Sequence, residues 1–230
     1  MTGSNEHDRR IAAMFDRIAH RYDLLNRVLS FGLDMSWRRR AVAIATLGPG
    51  ERALDVGAGT GDLSFALAAA GPSGRVVALD LAVKMLVRAR ARARSPIGLV
   101  AGSAEALPFS DGVFSCVTAG FAVRNFADLA RGLSEMRRVL RPGGRAVVLE
   151  LAVPPNAALR ALHLFYLRRL SPLVAAALGS SVDAYRYLPV SIEAFPDPDQ
   201  VAAAMRDAGF ADVRYERLTF GVATIHVGEA

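Results

Sequence analysis

At 230 residues with 52% hydrophobic content, the chain is long enough to bury one α/β domain, or a domain with a lid, and is not a disordered sequence. Its one cysteine, Cys116, excludes an intrachain disulfide and points to a reducing compartment, expected to be cytoplasmic. The formal charge of +6 rests on arginine rather than lysine, which leaves nucleic acid and an anionic membrane surface open as partners.

The arginines fall in Arg38-Arg39-Arg40, Arg88 to Arg94, Arg137-Arg138, Arg141 and Arg168-Arg169, and each group reads as a solvated helix face. Met1 to Arg10 is polar, with no apolar run of signal-peptide length behind it. From Ile11 to Leu47, apolar residues recur at helical spacing: Ile11, Met14, Phe15 and Ile18, then Tyr22, Leu25, Val28 and Leu29. Residues 1–47 are therefore expected to form a helical N-terminal cover on one domain spanning 1–230.

Strand-like runs near 52–56, 75–80, 97–101, 113–119 and 145–151 alternate with helical segments, the pattern of a parallel sheet with crossover helices. Ala127 to Leu140 is the clearest helix, and Arg141-Pro142-Gly143-Gly144 reads as its stop and turn. Cys116, inside Val113 to Val117, reads as core. Asn156 to Gly179 is an apolar, arginine-studded helical stretch within a lid or substrate insertion at 155–195. Asp199 to Ala208 is a further helix. Strands near 212–218 and 221–228, joined by Thr219-Phe220-Gly221, form a terminal antiparallel hairpin. No apolar stretch reaches the ~20 residues of a membrane span.

The most informative segment is Leu54-Asp55-Val56-Gly57-Ala58-Gly59-Thr60-Gly61-Asp62, a strand end running into a glycine turn. Gly57 and its neighbours let the backbone turn sharply and approach a ligand. A dinucleotide fingerprint has its third glycine where this chain has Asp62, at a helix start that would otherwise hold a pyrophosphate. A carboxylate there repels phosphate and suits a positively charged ligand. Asp80 ends the second strand, about where an acidic residue meets ribose hydroxyls in such units. S-adenosylmethionine, with a sulfonium, an ammonium and a bare ribose, fits these features. The alternative is a tight turn whose glycines serve packing, with Asp80 as a cap.

The order of elements resembles the class I S-adenosylmethionine-dependent methyltransferases, which implies a Rossmann-like, mostly parallel seven-stranded sheet with a C-terminal antiparallel hairpin. Tyr22-Asp23-Leu24-Leu25-Asn26-Arg27-Val28-Leu29-Ser30-Phe31-Gly32 through Trp37, and Arg138-Val139-Leu140-Arg141-Pro142-Gly143-Gly144 through Glu150, resemble the two signatures of the quinone C-methyltransferases of menaquinone and ubiquinone synthesis. Val123-Arg124-Asn125-Phe126 and Asp183 to Ile192 are similar to further segments of that family. The chain departs from it at Asp34, where a histidine is usual, at Ala152, where the second signature usually ends in serine, and at Gly120, where a serine often stands.

The resemblance implies cofactor contacts at Thr60, Asp80, Ser103 and Ala104, beside Gly57 in the glycine turn. It also implies methyl transfer to a prenylated quinol, demethylmenaquinol or a methoxylated benzoquinol. Transfer from a sulfonium to a ring carbon needs proximity and an acceptor that approaches phenolate. Arg124, just after the fourth strand, is the candidate to stabilise that oxygen, the alternative being a structural salt bridge. Asn125 is a candidate to orient the ring, and Tyr22, Tyr185 and Tyr187 to line the acceptor site, core packing being the alternative for the tyrosines.

No metal is expected, since the four histidines, at 7, 20, 163 and 226, form no ligand-spaced pair, and His163 reads as packing. The stretch from Leu159 to Gly179 reads as a lid helix, or as an amphipathic contact placing the protein at the inner face of a membrane. A second copy of the chain is a further candidate partner. The rival readings are an RNA methyltransferase or basic nucleic-acid module, for which no aromatic-interleaved basic stripe is present, and a small-molecule O-methyltransferase.

Overall fold

The computed structural model describes residues 2–71, 74–178 and 182–230, with side chains from 6–71, 74–178 and 185–230. Gly179, the expected end of the arginine-studded stretch, lies outside them, as do the side chains of Asp183 and Ala184. The apolar runs become β1 (Arg52–Val56), β2 (Arg75–Asp80), β3 (Gly98–Ala101), β4 (Phe114–Gly120) and β5 (Leu140–Leu151), with β6 (Ala211–Leu218) and β7 (Ala223–Glu229) as the closing hairpin. The sheet order is β3-β2-β1-β4-β5-β7-β6, parallel from β3 to β5 and antiparallel where β7 meets β5 and β6.

Helices α1 (Thr2–Ile18), α2 (Tyr22–Leu29) and α3 (Leu33–Ala45) precede the sheet. Within or beside it run α4 (Asp62–Ala70), α5 (Val83–Arg92), α6 (Leu129–Arg138), α7 (Ala157–Phe165), α8 (Ser171–Ala177), α9 (Val182–Ala194) and α10 (Pro198–Asp207). Side chains on β5 alternate with the strand period of two. Ala146 and Val148 pack with Leu133, Met136 and Met205 under α6 and α10, while Val147 and Leu149 pack with Trp37, Ala41 and Leu67 under α3 and α4. Burial on both faces explains why the inner strands read as near-continuous apolar runs. Cys116 belongs to the second layer, and burial pushes its thiol up to about 12.

Two boundaries differ from the sequence reading. The helix expected over 127–140 ends at Arg138, and Leu140 already pairs with Phe114 while Arg145 pairs with Cys116. Residues 141–144 are thus a bulge inside β5 rather than a turn before it, made possible by Gly143 at φ +72°. Asn156 caps α7 by accepting from the backbone of Ala158 and Leu159, but the helix then passes through a π turn at Tyr166–Leu170 before α8. That turn aims Tyr166, Leu167 and Leu170 into a cavity beside the sheet.

Candidate active site

The strand order reverses between β1 and β4, and in open α/β sheets ligands bind in the crevice beyond the carboxyl ends of such a pair. Gly57 leaves β1 at φ +66°, and a Cβ on it would lie 2.4 Å from that of Ala122 beyond β4. The Gly59 N–H donates to Asp80 Oδ2 at 2.7 Å and the Ala82 N–H donates to Oδ1 at 2.8 Å. A carboxylate has acceptor capacity beyond these two bonds. Burial holds the Asp80 carboxyl above the usual range.

Gly57, Asp80, Ser103 and Ala104 line one cleft, and α1 roofs it with Asp8, Ile11, Ala12 and Phe15. Ser103 Oγ donates to Asp8 Oδ2 at 3.1 Å, and His7 Nε2 donates to the Asn125 carbonyl at 2.9 Å. With the roof down, the remaining cavity is about 70 Å³. Burial raises the Asp8 carboxyl. The helical N-terminal cover expected from Ile11, Met14, Phe15 and Ile18 is this roof, but the polar contacts of His7 and Asp8 with the cleft had no signal in the sequence.

Two residues of the glycine segment stand elsewhere than their position suggested. Thr60 does not line the cleft: its hydroxyl donates to Asp23 of α2, and its carbonyl accepts from Arg92 at 2.9 Å. Asp62 accepts from Arg92 at 2.5 Å and from Arg27 at 3.2 Å, so its charge is matched by two arginines rather than offered to a ligand. The pair fastens α2 and α5 to the glycine turn.

A second, larger cavity of about 480 Å³ lies beside the first. Its walls are apolar, including Leu29, Phe31 and Leu33 near α2 and α3, Leu159, Leu162 and Phe165 of α7, and Phe220 in the β6–β7 connection. Tyr22 and Phe121 line both cavities and form their common wall. Burial raises the Tyr22 phenol, against the fields of the Arg124 and Arg38 guanidiniums.

Arg124 lines the apolar cavity and is also the salt bridge weighed against a catalytic role. Its Nη1 donates to Glu150 at 2.5 Å and to the Phe121 carbonyl at 2.7 Å, in a pair whose side chains are 6% and 1% exposed. Its Nε has no partner.

Asn125 lines the glycine-lined cleft rather than the apolar cavity, and its Oδ1 accepts from the Tyr187 hydroxyl at 3.1 Å. Tyr185 lines neither, because α9 turns it into a core with Ile18, Leu25 and Met85; burial raises its phenol. His163, read as packing, lines the apolar cavity with a buried, unpartnered Nε2, and burial lowers its imidazole pKa. Arg38, read as part of a solvated face, is buried in the same cavity, while Arg39 and Arg40 beside it are exposed.

With the two cavities defined, comparison with known proteins is decisive: the model of the ubiE/COQ5 methyltransferase family matches residues 1–230. The chain belongs to that family. A demethylmenaquinone methyltransferase of Thermus thermophilus is 49% identical over 219 residues, covering 94% of this chain and 99% of the relative. A protein of Geobacter sulfurreducens named ubiquinone/menaquinone biosynthesis C-methyltransferase UbiE is 43% identical over 230 residues, covering 97% and 90%. The chain is an S-adenosylmethionine-dependent methyltransferase.

Among solved structures, a Haloferax volcanii methyltransferase complexed with its Trm112 activator matches with a TM-score of 0.69 at 20% identity, covering 94% of this chain and 97% of that one. The cyclase SpnF matches with a TM-score of 0.69 at 17% identity, covering 95% and 94%. That a cyclase shares the fold illustrates that architecture leaves the chemistry open, and the site decides it.

Proposed function

We propose that the enzyme methylates a ring carbon of a prenylated quinol, demethylmenaquinol giving menaquinol, with the methoxylated benzoquinol of ubiquinone synthesis as the alternative acceptor. The names of its relatives support this reading. The observation that carries it is the common wall of Tyr22 and Phe121, across which a glycine-lined cleft meets an apolar cavity large enough for a fused ring and the start of a tail.

The bound cofactor supplies a methyl group on a positively charged sulfur. Asp80 would hold its ribose, with Ser103 and Ala104 at the adenine edge and Gly57 giving the backbone its close approach. Thr60 acts through Asp23, securing α2 so that Tyr22 faces the junction. Arg124, fixed by Glu150, presents Nε to a ring oxygen and stabilises the charge that grows there. Asn125, at the cleft edge, keeps Tyr187 in place, and Tyr185 supports α1 and α2 from behind.

The mouth of the acceptor cavity docks on a membrane surface. Phe31 and Phe220 at its rim are 78% and 81% exposed, and Leu162 and Phe165 beside them are also exposed. Of the six non-glycine residues at positive φ among the described residues, four line this cavity: Phe31, Phe121, Thr219 and Phe220. Such backbone strain costs about 1–2 kcal/mol per residue and persists mainly where function uses it. Among the described residues no helix is long and apolar enough to cross a bilayer, so the contact is peripheral.

Transfer of labelled methyl to a short-tailed demethylmenaquinone, chemically reduced, tests the reaction. Product from the quinol and none from the oxidised quinone is expected. Intact cofactor binding with no transfer to either, but transfer to the methoxybenzoquinol, would move the acceptor to the alternative. Flotation with anionic vesicles tests the docking, and a protein left wholly in solution overturns it.

A further inference from the structure

Three charged residues of the acceptor cavity, Asp34, Arg38 and Arg124, have buried hydrogen-bonding atoms with no partner among the described residues, and the first two are neighbours. Asp34 and Arg38 stand four residues apart on α3, so their side chains share one face of the helix. Both line the cavity, with side chains 4% and 9% exposed. Arg38 Nε and Asp34 Oδ2 form an ion pair at 3.8 Å, too long for a direct hydrogen bond, and among the described residues neither atom has a hydrogen-bond partner; Arg27 Nε lies 3.8 Å from the other oxygen, Asp34 Oδ1.

The rest of the pair is held in place. Asp34 Oδ1 accepts from Ser30 Oγ at 2.9 Å, and the Arg38 guanidinium rests on the Phe121 ring at 4.9 Å. Among the described residues Arg38 donates no hydrogen bond, in contrast to Arg124, whose Nη1 is already engaged. A buried guanidinium and a buried carboxylate separated by such a gap are costly unless something fills it.

One oxygen fits within about 2.8 Å of both atoms. It must accept from Arg38 Nε–H and donate to Asp34 Oδ2, which is what a hydroxyl does. A carbonyl oxygen has no proton to give and meets the negative carboxylate. The gap therefore discriminates a quinol from the corresponding quinone.

Resting on the quinol reading above, we propose that Asp34 and Arg38 clamp a ring hydroxyl of the reduced acceptor, Asp34 Oδ2 taking its proton while Arg38 Nε holds the oxygen's developing charge. The O–H bond breaks and its electron pair feeds the ring. The new carbon–carbon bond forms as the methyl–sulfur bond breaks, with that pair staying on sulfur. The ring carbon then loses its own hydrogen as a proton to water, which restores aromaticity, and Asp34 returns the first proton to the oxygen. One proton is released per methyl transferred. Arg124, which lines the same cavity with an unpartnered Nε among the described residues, serves the second oxygen. Asp34 stands where the first signature of the family usually has a histidine.

Trp37 is the chain's one tryptophan and lines this cavity, so its fluorescence reports occupancy. The probes are a short-tailed 1,4-naphthohydroquinone kept reduced without air, its quinone and its dimethyl ether, with calorimetry of the cofactor as the folding control. Wild-type protein is expected to bind the hydroquinone at least tenfold tighter than the other two, and Arg38→Met to erase the difference. Asp34→Asn, whose amide oxygen still accepts, is expected to keep that affinity within about threefold while kcat falls about a hundredfold. Asp34→His is expected to recover a tenth or more of the wild-type kcat.

Wild-type kcat in Asp34→Asn, or equal affinity for hydroquinone and dimethyl ether in an enzyme that does methylate the quinol, overturns the clamp alone. A wild-type protein that neither binds nor methylates any quinol overturns the quinol reading itself.

Discussion

The cofactor cleft is built largely by backbone at the ends of β1, β2 and β4, whereas the acceptor cavity is built by side chains from α2, α3, α7 and the β6–β7 connection. In the first, glycines at positive φ and one carboxylate fixed by two N–H groups leave little freedom. In the second, apolar walls enclose a few charged groups, several with unsatisfied atoms. A fixed cleft suits one ligand that never changes; a side-chain cavity lets residues set which acceptor enters.

Stability separates the two regions most strongly at Arg124. Arg124→Met leaves Glu150 buried with an unpaired charge and is expected to cost about 3–5 kcal/mol in denaturant unfolding. Adding Glu150→Gln should recover most of that loss while methyl transfer stays at least a hundredfold low. If the double variant regains activity, the arginine serves the fold alone.

Gly57→Ala sharpens the contrast from the other side. The added Cβ meets Ala122 and an unfavourable φ. Calorimetry is expected to show cofactor affinity at least a hundredfold weaker, with Trp37 quenching by the acceptor within about threefold of wild type.

A pH titration of stability isolates the base of the cleft. Asp55, fully buried, accepts from Ser64 Oγ at 2.6 Å and Thr118 Oγ1 at 2.9 Å, and burial raises its carboxyl to about 6. The native state thus holds a proton that the unfolded chain releases near its ordinary value. This contribution is fully present below about pH 4 and is lost as pH rises through about 6, a change of about 3 kcal/mol. Asp55→Asn is expected to remove that part of the slope.

The smallest expected effect lies at the rim. Leu162→Asp with Phe220→Asp should weaken vesicle binding about tenfold by removing exposed apolar area. Because both residues also line the acceptor cavity, the KM for a short-tailed, water-soluble quinol is expected to rise while its kcat stays within about twofold. Unchanged vesicle binding with the same rise in KM would confine the rim to the acceptor site.

How far each region could be read from sequence follows from how it is built. The strands were legible because sheet burial imposes apolar runs, and Gly57 and Asp80 because a tight turn and a strand end impose residue type locally. Asp62 stood at a helix start as its position implied, yet Arg27 and Arg92, distant in the chain, took its charge. The acceptor cavity joins Tyr22 to Phe220, and no local pattern encodes that meeting.

Arg38 shows the difficulty most plainly. Its spacing from Asp34 was visible, but only the packing of α3 on the sheet, through Ala41 and Ala45, turns it inward from the run Arg38-Arg39-Arg40. Tyr185 went the other way, since a tyrosine beside a family-like segment reads as a site residue until α9 is seen to bury it.

The roof over the cofactor cleft has a kinetic consequence. Because α1 covers that cleft on one side while the apolar mouth opens on another, the proposed reaction gives its two substrates separate approaches. On that proposal cofactor exchange requires α1 to move, while the acceptor arrives at the apolar mouth. Rapid-quench traces should then show a burst of one methyl per active site before a slower steady rate. On the proposed docking, the protein would reload between turnovers while it stays on the bilayer.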